Sequence, residues 1–421
     1  MLEHTLVVDK GGRKLITARE RFLEICKFER QNDPFIWTID AWNQTYARWK
    51  NEGMPVNNLN NRKDLNMHFI GYLNQKEVIQ PNAAIMGMGP CNNPPWVPPL
   101  DPMFELKVID SDEYTITRVD YDGCIVRINK ADPEMMPQYL EYPVKDAKSW
   151  NDFKKRLDPY SKGRFPDGWQ YMKESNTDFP VKPELDGKSW EKRDFPLGMM
   201  SLSLWGMPRN YMGLEGISFA MYDNPSFVQE IIEHQAWYSL ETIKQVFDAG
   251  ITIDWAFIWE DMCYNKGSLV SPKFVREVMA PHYRKVIEYL RSHGVVMVML
   301  DCDGNTHDLL PIWVDCGVNC SYPLEAASGM DALTVRKKFG KNLMMVCNID
   351  KRSLAAGKAE IDVEVAKVRE LIKDGGYFIN CDHHLSPDIP YANYVYFLNE
   401  VWKLSDYEET RRHIETGLQP L

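Results

Sequence analysis

Apolar and polar positions repeat in a regular order from about residue 195 onward. Helical-period stretches such as SFVQEIIEHQAWYSLETIKQVFDAG separate short apolar runs, and Gly250, Gly294 and Gly376 close several of these stretches. Two earlier runs, PFIWTIDAW and AAIMGMGP, bring the predicted strands to eight. This rhythm predicts a (β/α)8 barrel of the TIM type with right-handed crossovers. The later runs are PLGMMSLSLW, TIDWAFIWEDM, VVMVMLDCDGN, VNCSYPLEA, NLMMVCNID and GYFINCDHH.

Two regions depart from this rhythm. Residues 14–29 have the apolar spacing of an amphipathic helix, which predicts a helical extension before the first strand. In FELKVIDSDEYTITRVDYDGCIVRINK, β-branched alternation and turn residues predict a small antiparallel meander. Helix and loop are expected over 145–195. We therefore predict a single α/β barrel domain over residues 1–421, with an inserted β meander and loop region at about 95–195.

Composition narrows the function classes. The chain has 421 residues, of which 44% are hydrophobic and 26% charged, as in ordinary globular proteins. Its net charge of −11 argues against nucleic acid or an anionic membrane as the main partner. The N-terminus lacks an apolar signal segment, and nine scattered cysteines do not resemble a disulfide framework. A cytoplasmic, reduced protein is expected, and a homodimer is left open.

Cys347 and Cys381 end the last two predicted strands, and Glu325 ends the strand before them. In a barrel these strand ends meet at one mouth, where such enzymes carry their chemistry. Two thiols and a carboxylate suggest Zn²⁺, and three protein ligands leave it one position for substrate. The alternative is that both cysteines are small buried hydrophobic residues, as free cysteines usually are.

Other polar residues fall at the same predicted mouth. They could orient metal ligands or transfer a proton, or they could simply cap helices and loops. His383 and His384 both compete as ligands, and the one that does not bind metal could hydrogen-bond substrate or cap a loop. Cys302 also competes, but if Asp301 and Asp303 face the mouth, strand alternation points it away. The candidates for catalysis are Glu260, Asp261, Asp301, Asp303, Asn305 and His383.

Aromatic and apolar side chains near the strand ends could form a wall against a planar substrate. Core packing is the alternative role for each of them. The candidates for substrate binding are Trp37, Asp40, Met88, Trp205 and Trp259.

Several segments together carry a family resemblance: PQYLEYPVKDAKSWNDFKKRLDP, LDCDGN, PLEAASGMDALTVRKKFG, NIDK and DHHLSPDIPYANY. With them the chain resembles the uroporphyrinogen decarboxylase-like superfamily, whose members are (β/α)8 barrels, over nearly its whole length. The decarboxylase itself has an arginine-rich porphyrin motif near its first strand, where this chain reads WTIDAWNQTY. Porphyrin decarboxylation is therefore not expected.

Another branch of that superfamily contains zinc-dependent methyltransferases that work with a corrinoid protein. Its thiol-methylating members bind zinc with a His-x-Cys pair, which aligns with Asp301 and Asp303 here, and with a cysteine that Cys381 matches approximately. The thiol-type ligand set is thus not intact. The chain looks more like the corrinoid-linked O-demethylases, in which a carboxylate precedes two soft ligands at long spacing.

This resemblance implies a methyltransferase that moves a methyl group from a methoxylated aromatic to the cobalt of a separate corrinoid protein. Zinc would activate the ether oxygen. The sequence shows no His-rich corrinoid-binding module, so the cobalamin is expected in trans. The alternatives are a zinc-dependent methyltransferase acting on a thiol, amine or other methyl donor, and a metal-free decarboxylase-like lyase or a non-catalytic binding protein.

Overall fold

The computed structural model describes residues 16–37, 41–54, 100–133, 135–162, 196 and 198–407. Within them the strands are β1 (Lys107–Ser111), β2 (Thr115–Val119), β3 (Ile125–Asn129), β4 (Gln138–Glu141), β5 (Gly198–Leu202), β6 (Trp255–Trp259), β7 (Cys263–Tyr264), β8 (Gly267–Ser268), β9 (Met297–Asp301), β10 (Cys320–Tyr322), β11 (Met344–Val346) and β12 (Tyr377–Phe378). The α-helices are α1 (Ala18–Cys26), α2 (Asn43–Asn51), α3 (Ala147–Phe153), α4 (Gly206–Met212), α5 (Leu214–Asp223), α6 (Pro225–Asp248), α7 (Pro272–Phe274), α8 (Ala280–Ser292), α9 (Leu310–Asp315), α10 (Ala332–Phe339), α11 (Lys351–Ala356), α12 (Lys358–Ile372) and α13 (Tyr391–Trp402).

A six-stranded sheet in the order β12-β11-β10-β9-β6-β5 forms the centre of the fold. All of its neighbouring strands are parallel. Every residue of β5, β6, β9, β11 and β12 is buried. Parallel strands covered on both faces read as continuous apolar runs, which is why the sequence shows runs rather than alternation. The six strands predicted after residue 195 are confirmed.

The first predicted strand also reaches this sheet. Ile36 forms a parallel bridge with Ile379, just beyond β12, and Trp37 donates its backbone N–H to the Ile379 carbonyl at 2.8 Å. The second predicted strand, AAIMGMGP, lies outside the described residues. The parallel α/β architecture fits a (β/α)8 barrel, although within the described residues no pairing joins Ile36 to β5.

Helices connect the parallel strands. The longest, α6, has 24 residues and begins with a proline in its first turn, where the missing N–H is tolerated. Gly250, Gly294 and Gly376 have φ values of 80°, 86° and 65°, a conformation that glycine adopts without strain. They follow α6, α8 and α12, as the sequence predicted. Within the described residues no helix is long and apolar enough to cross a membrane.

The N-terminal helix is shorter than the predicted range of 14–29. Thr17 caps α1 in a capping box with Glu20, and the helix ends at Cys26. A buried ion cluster then fixes the chain that leads into the first strand. Arg21 Nε donates to Asp33 Oδ2 at 2.7 Å, and Arg30 Nε donates to the same oxygen.

The inserted meander is confirmed as a four-stranded antiparallel sheet in the order β1-β2-β3-β4. It has a small core of its own, formed by Cys124, Val126 and Ile128. Asp146 then caps α3, which buries Trp150 and Phe153. Much of the predicted loop region before β5 lies outside the described residues.

Candidate functional site

The carboxyl ends of the parallel strands carry unusual backbone conformations. Asp261, Leu324, Cys347 and Asn348 follow β6, β10 and β11, and their φ values are 45°, 55°, 80° and 74°. Residues other than glycine rarely adopt positive φ, because Cβ then approaches the backbone. Such conformations persist where the surrounding structure enforces them and are frequent at functional sites. The strand ends thus have backbone conformations that are typical of a functional site.

Asp303, Glu325 and His383 come together at this edge. One ligand atom from each lies within 4.8 Å of the others, and all three residues are partly exposed. His383 Nε2 is 3.6 Å from Asp303 Oδ2. Two carboxylates and an imidazole are ligand types that Zn²⁺ accepts. These three residues, which follow β9, β10 and β12, will be called the Asp303 cluster.

Glu325 is held by neighbours on two chain segments. Its Oε2 accepts the Gly304 backbone N–H at 2.8 Å and the Ser328 hydroxyl at 3.0 Å. Gly304 has a φ of 85°, and a Cβ there would lie 2.7 Å from the backbone of Tyr264. Because only glycine fits this close approach, the N–H that orients Glu325 depends on that residue.

Both ring nitrogens of His383 face a polar neighbour. Its Nδ1 accepts the backbone N–H of His384 at 2.8 Å, which leaves the proton of the neutral ring on Nε2, facing Asp303. The Asp303 carboxylate raises the pKa of His383, against the opposing effect of burial. Metal binding through Nε2 would require the proton on Nδ1, so the ring would have to turn away from the His384 amide.

A second carboxylate group adjoins the Asp303 cluster. Asp261, Asp301 and Asp303 have oxygens within 4.8 Å of one another. Burial, followed by the neighbouring Asp261, Asp303 and Glu325 carboxylates, raises the pKa of Asp301 well above its usual value. Burial and Asp303 also raise the pKa of Asp261, although Arg209 opposes the shift through an ion pair of 3.1 Å.

Glu260 and Asn305 hold the loops around the site rather than facing it. Glu260 is fully buried and accepts the backbone N–H groups of Leu204 at 2.9 Å and Trp205 at 2.7 Å, together with the Tyr283 hydroxyl at 2.8 Å. Burial raises the pKa of Glu260 to about 7, while these donors oppose the shift. Asn305 Nδ2 donates to the Ser328 carbonyl at 3.1 Å. The hydrogen bonds of Glu260 and Asn305 are thus of the kind expected if these residues cap helices and loops rather than take part in catalysis.

The cysteines predicted to be zinc ligands are deeply buried. Cys347 is 0% exposed and Cys381 is 2% exposed. Burial raises the pKa of both thiols well above their usual value, which opposes the thiolate form that binds metal. Within the described residues, neither group of three ligand atoms inside 4.8 Å includes a cysteine. The structure therefore groups Glu325 with Asp303 and His383, and ligation by the thiols stays a prediction.

The predicted aromatic wall lies in the core. Trp37 is 6% exposed, and its ring packs edge-on against Trp255 at 5.0 Å. Trp205 is fully buried, while Trp259 is 7% exposed and lies 5.4 Å from the Arg209 guanidinium. Asp40 and Met88 lie outside the described residues. Substrate contact by any of these residues stays a prediction.

Three residues near the site have no role that was predicted from the sequence: Arg209, Asn348 and Asp382. Asn348 is buried and donates to the carbonyls of Leu324 at 2.6 Å and Met330 at 2.9 Å. Asp382 accepts the Ala326 N–H at 3.1 Å, which ties the segment after Glu325 to the residue before His383. A polar residue just after an apolar strand is the sequence feature that could have identified Asn348 and Asp382.

Comparison with known proteins gives three findings. The family described as "Uroporphyrinogen decarboxylase (URO-D)" matches residues 191–404. The uroporphyrinogen decarboxylase of Campylobacter concisus (strain 13826) is 26% identical over 191 residues, which are 44% of this chain and 51% of that protein. The chain thus matches about half the length of this curated relative.

The third finding is structural. A methyltransferase from Methanosarcina mazei superposes with a TM-score of 0.51 over 93% of this chain and 98% of its own, at 16% identity. At that identity the likeness shows the fold alone.

Proposed function

Because the chain belongs to the uroporphyrinogen decarboxylase family, we propose that it is a methyltransferase-type enzyme built on that family's fold. In this proposal it moves a methyl group from a methoxylated aromatic to the cobalt of a separate corrinoid protein. The structural relative from Methanosarcina mazei is itself described as a methyltransferase, so a fold of this kind can carry the proposed reaction class.

The Asp303 cluster is the observation that carries the proposal. It lies at the carboxyl ends of parallel strands, where barrel enzymes have their active sites. The side chains of His383 and Asp303 are 29% and 42% exposed, so substrate can reach them from solvent. Two carboxylates and a neutral imidazole balance the charge of a divalent ion, whereas two thiolates and a carboxylate would leave the complex negative. A neutral complex is the stronger Lewis acid.

Some residues of the site would bind the metal, and others orient these ligands. Asp303, Glu325 and His383 would hold Zn²⁺, which supplies Lewis acidity against the negative charge that develops on a leaving ether oxygen. Gly304 and Ser328 fix the Glu325 carboxylate through Oε2. Such hydrogen bonds to ligating carboxylates orient them and tune metal affinity. A phenolate is a better leaving group than an alkoxide, which favours aryl methyl ethers.

The charge at the site also argues against decarboxylation of a porphyrinogen. Asp301 lies among the carboxylates of Asp261, Asp303 and Glu325, and Arg209 pairs with Asp261. Such a surface repels a substrate that carries several carboxylates of its own. A neutral ether meets no such repulsion. In this proposal the corrinoid is carried by a separate protein.

A methyl-donor panel tests the proposal. Full-length protein with Zn²⁺ would be incubated with a reduced corrinoid protein and aryl methyl ethers, methyl thiols or methylamines. The expected result is release of the phenol only when the corrinoid protein is present. Glu325→Gln should lower that rate by at least about tenfold, because it removes a charged ligand. Asp308→Asn is the matched control, since Asp308 is exposed on the same strand-to-helix connection and belongs to neither carboxylate group.

Other outcomes decide against the proposal. Full-rate demethylation without the corrinoid protein would contradict the acceptor. If the protein demethylates methyl thiols or methylamines but no aryl methyl ether, it is a methyltransferase with a different methyl donor. Release of CO₂ from a porphyrinogen, unaffected by Glu325→Gln, would identify a metal-free decarboxylase instead.

A further inference from the structure

We propose that Trp42 binds the aromatic ring of the substrate and thereby makes the site select aryl over alkyl methyl ethers. The inference rests on the function proposed above, because the Asp303 cluster would hold the metal that meets the ether oxygen. It adds to that function a residue that determines specificity without binding the metal.

Trp42 stands apart from most tryptophans of this chain because its side chain is exposed. It is 49% exposed, and of the tryptophans that the structure describes only Trp237, at 43%, resembles it. The three tryptophans that were predicted to form an aromatic wall, Trp37, Trp205 and Trp259, are buried. A half-exposed indole offers a large, rigid apolar surface to a planar ligand. Trp42 therefore offers the kind of surface that those three residues bury.

A row of aromatic rings connects Trp42 with the Asp303 cluster. The ring centroid of Trp42 is 5.1 Å from that of His384, which in turn is 4.9 Å from that of His383. The Trp42 and His383 rings are therefore no more than about 10 Å apart. Interacting aromatic rings have centroids about 4.5–7 Å apart, so a ring that stacks on Trp42 can direct a methoxy group to the cluster.

Main-chain hydrogen bonds fix the position of Trp42 relative to His383. The Trp42 N–H donates to the Leu385 carbonyl at 3.2 Å, and Ala41 forms a parallel bridge with Leu385. The Thr45 hydroxyl donates to the same carbonyl at 2.7 Å, and the Thr45 N–H donates to the Trp42 carbonyl at 2.9 Å. Leu385 lies on the same segment as His383. The main chain that carries the indole is thus held beside the cluster before substrate arrives, which lowers the entropic cost of binding.

Trp237 provides a matched control for Trp42. Its ring centroid is 5.2 Å from that of His234, so its exposure and its contact with a histidine ring are both close to those of Trp42. Trp237 lies within α6, however, and not at a strand end. A difference between variants at the two positions therefore reports the location of Trp42 and not the general effect of removing an exposed indole.

The experiment measures equilibrium binding by ligand-observed NMR titration of full-length, Zn²⁺-loaded protein without a corrinoid protein. The probes are anisole and cyclohexyl methyl ether, two neutral ethers of which only the first has an aromatic ring. Trp42→Ala should weaken the binding of anisole about tenfold, because the ring–ring interaction is lost. It should weaken the binding of cyclohexyl methyl ether at most about threefold, because that ligand loses only contact area.

Two further variants complete the experiment. Trp42→Phe keeps an aromatic face and should bind anisole within about threefold of the wild type. Trp237→Ala should bind both ethers as the wild type does. The affinity for Zn²⁺ should be unchanged in all three variants, which a role of Trp42 through His384 and the metal ligands would not allow. Folding of each variant would be checked by its melting temperature.

The outcomes separate this inference from the proposed function. If Trp42→Ala binds anisole as tightly as the wild type, or loses affinity for both ethers and Zn²⁺ alike, this inference is overturned and the proposed function stands. If the wild type binds anisole through Trp42 but releases no phenol with the corrinoid protein, the ring site stands and the proposed reaction fails. If the wild type binds no anisole, both are overturned. Binding of tetramethylammonium that Trp42→Ala abolishes would then identify a methylated cation as the ligand.

Discussion

The side-chain amide of Asn348 donates to the main-chain carbonyl of Leu324 at 2.6 Å, across the ends of two neighbouring strands. Leu324 precedes Glu325, so this hydrogen bond fixes the chain directly before a proposed ligand. Asn348 also accepts the Ala332 N–H at 2.9 Å and thereby holds the far end of the same connection. The position of Glu325 therefore depends on a residue that need not touch substrate.

Asn348→Ala should disturb both stability and metal binding. The change leaves buried backbone groups of Leu324, Met330 and Ala332 without their partner. We expect a loss of about 2–4 kcal/mol in the free energy of unfolding, because each unsatisfied buried group is costly. The affinity for Zn²⁺ should fall about tenfold, as for other residues that orient ligands. Urea denaturation and a competitive chelator titration measure the two effects.

Asn348→Gly is the matched control for the backbone. The φ of 74° at this position disfavours alanine but not glycine, so the glycine variant should be about 1 kcal/mol more stable than the alanine variant. Both should lose the same metal affinity. Unchanged affinity in both variants would remove Asn348 from the support of Glu325.

Gly304→Ala should be far more harmful than Gly294→Ala. The two glycines have nearly equal φ values of 85° and 86°, so the backbone penalty is similar, about 1 kcal/mol. At Gly304 a Cβ would lie 2.7 Å from the Tyr264 backbone, whereas at Gly294 nothing lies within 4 Å. Overpacking should therefore add about 1–3 kcal/mol at Gly304 alone.

The same pair of variants tests the site. Gly304→Ala should weaken Zn²⁺ binding, because the displaced N–H no longer orients Glu325, and Gly294→Ala should not. If the two variants lose the same stability and bind Zn²⁺ equally well, the loop at Gly304 can accommodate a Cβ without disturbing Glu325.

Asp33→Asn should destabilise the fold away from the site. Asp33 is buried between Arg21 and Arg30, and its loss removes the carboxylate that pairs with the buried Arg21, while Arg30 keeps its pair with the more exposed Glu24 at 3.3 Å. We expect a loss of about 3–5 kcal/mol. Glu370→Gln, which removes an exposed ion pair with Lys373, is the control and should change little.

The stabilisation of the fold by the Asp33 carboxylate should depend on pH. Burial alone would raise the pKa of Asp33, but Arg21 and Arg30 outweigh it and hold the pKa below its usual value. The stabilisation is therefore complete above the unfolded pKa of about 3.9 and is lost as the pH falls through the folded value. The stability gap between wild type and Asp33→Asn should narrow below about pH 4. A gap that widens on acidification would contradict this assignment.

The sequence was sufficient to predict the six strands of the central parallel sheet but not the grouping of side chains at their ends. Buried parallel strands such as β6 and β9 read directly as apolar runs. Cys347 also follows such a run, yet its φ of 80° turns the chain out of the strand. Strand alternation then no longer determines which side chains face the mouth. The approach of Gly304 to Tyr264, on a separate hairpin, is likewise a tertiary contact without a local pattern.

Cys347→Ala and Cys381→Ala should each keep bound Zn²⁺. Both side chains are buried, and within the described residues neither belongs to a group of three close ligand atoms. Truncation of a small buried side chain should cost about 1–2 kcal/mol of stability. Metal content by elemental analysis and stability by urea denaturation separate the two effects. Loss of zinc from folded variants would instead support the ligand set predicted from the sequence, which is Glu325, Cys347 and Cys381.

Anomalous diffraction at the zinc edge, from crystals of the full-length protein grown with Zn²⁺, decides which residues hold the metal. We expect a peak about 2.0–2.2 Å from a carboxylate oxygen of Asp303, a carboxylate oxygen of Glu325 and a ring nitrogen of His383. A peak about 2.3 Å from the Sγ atoms of Cys347 and Cys381, or no peak at these strand ends, would contradict it.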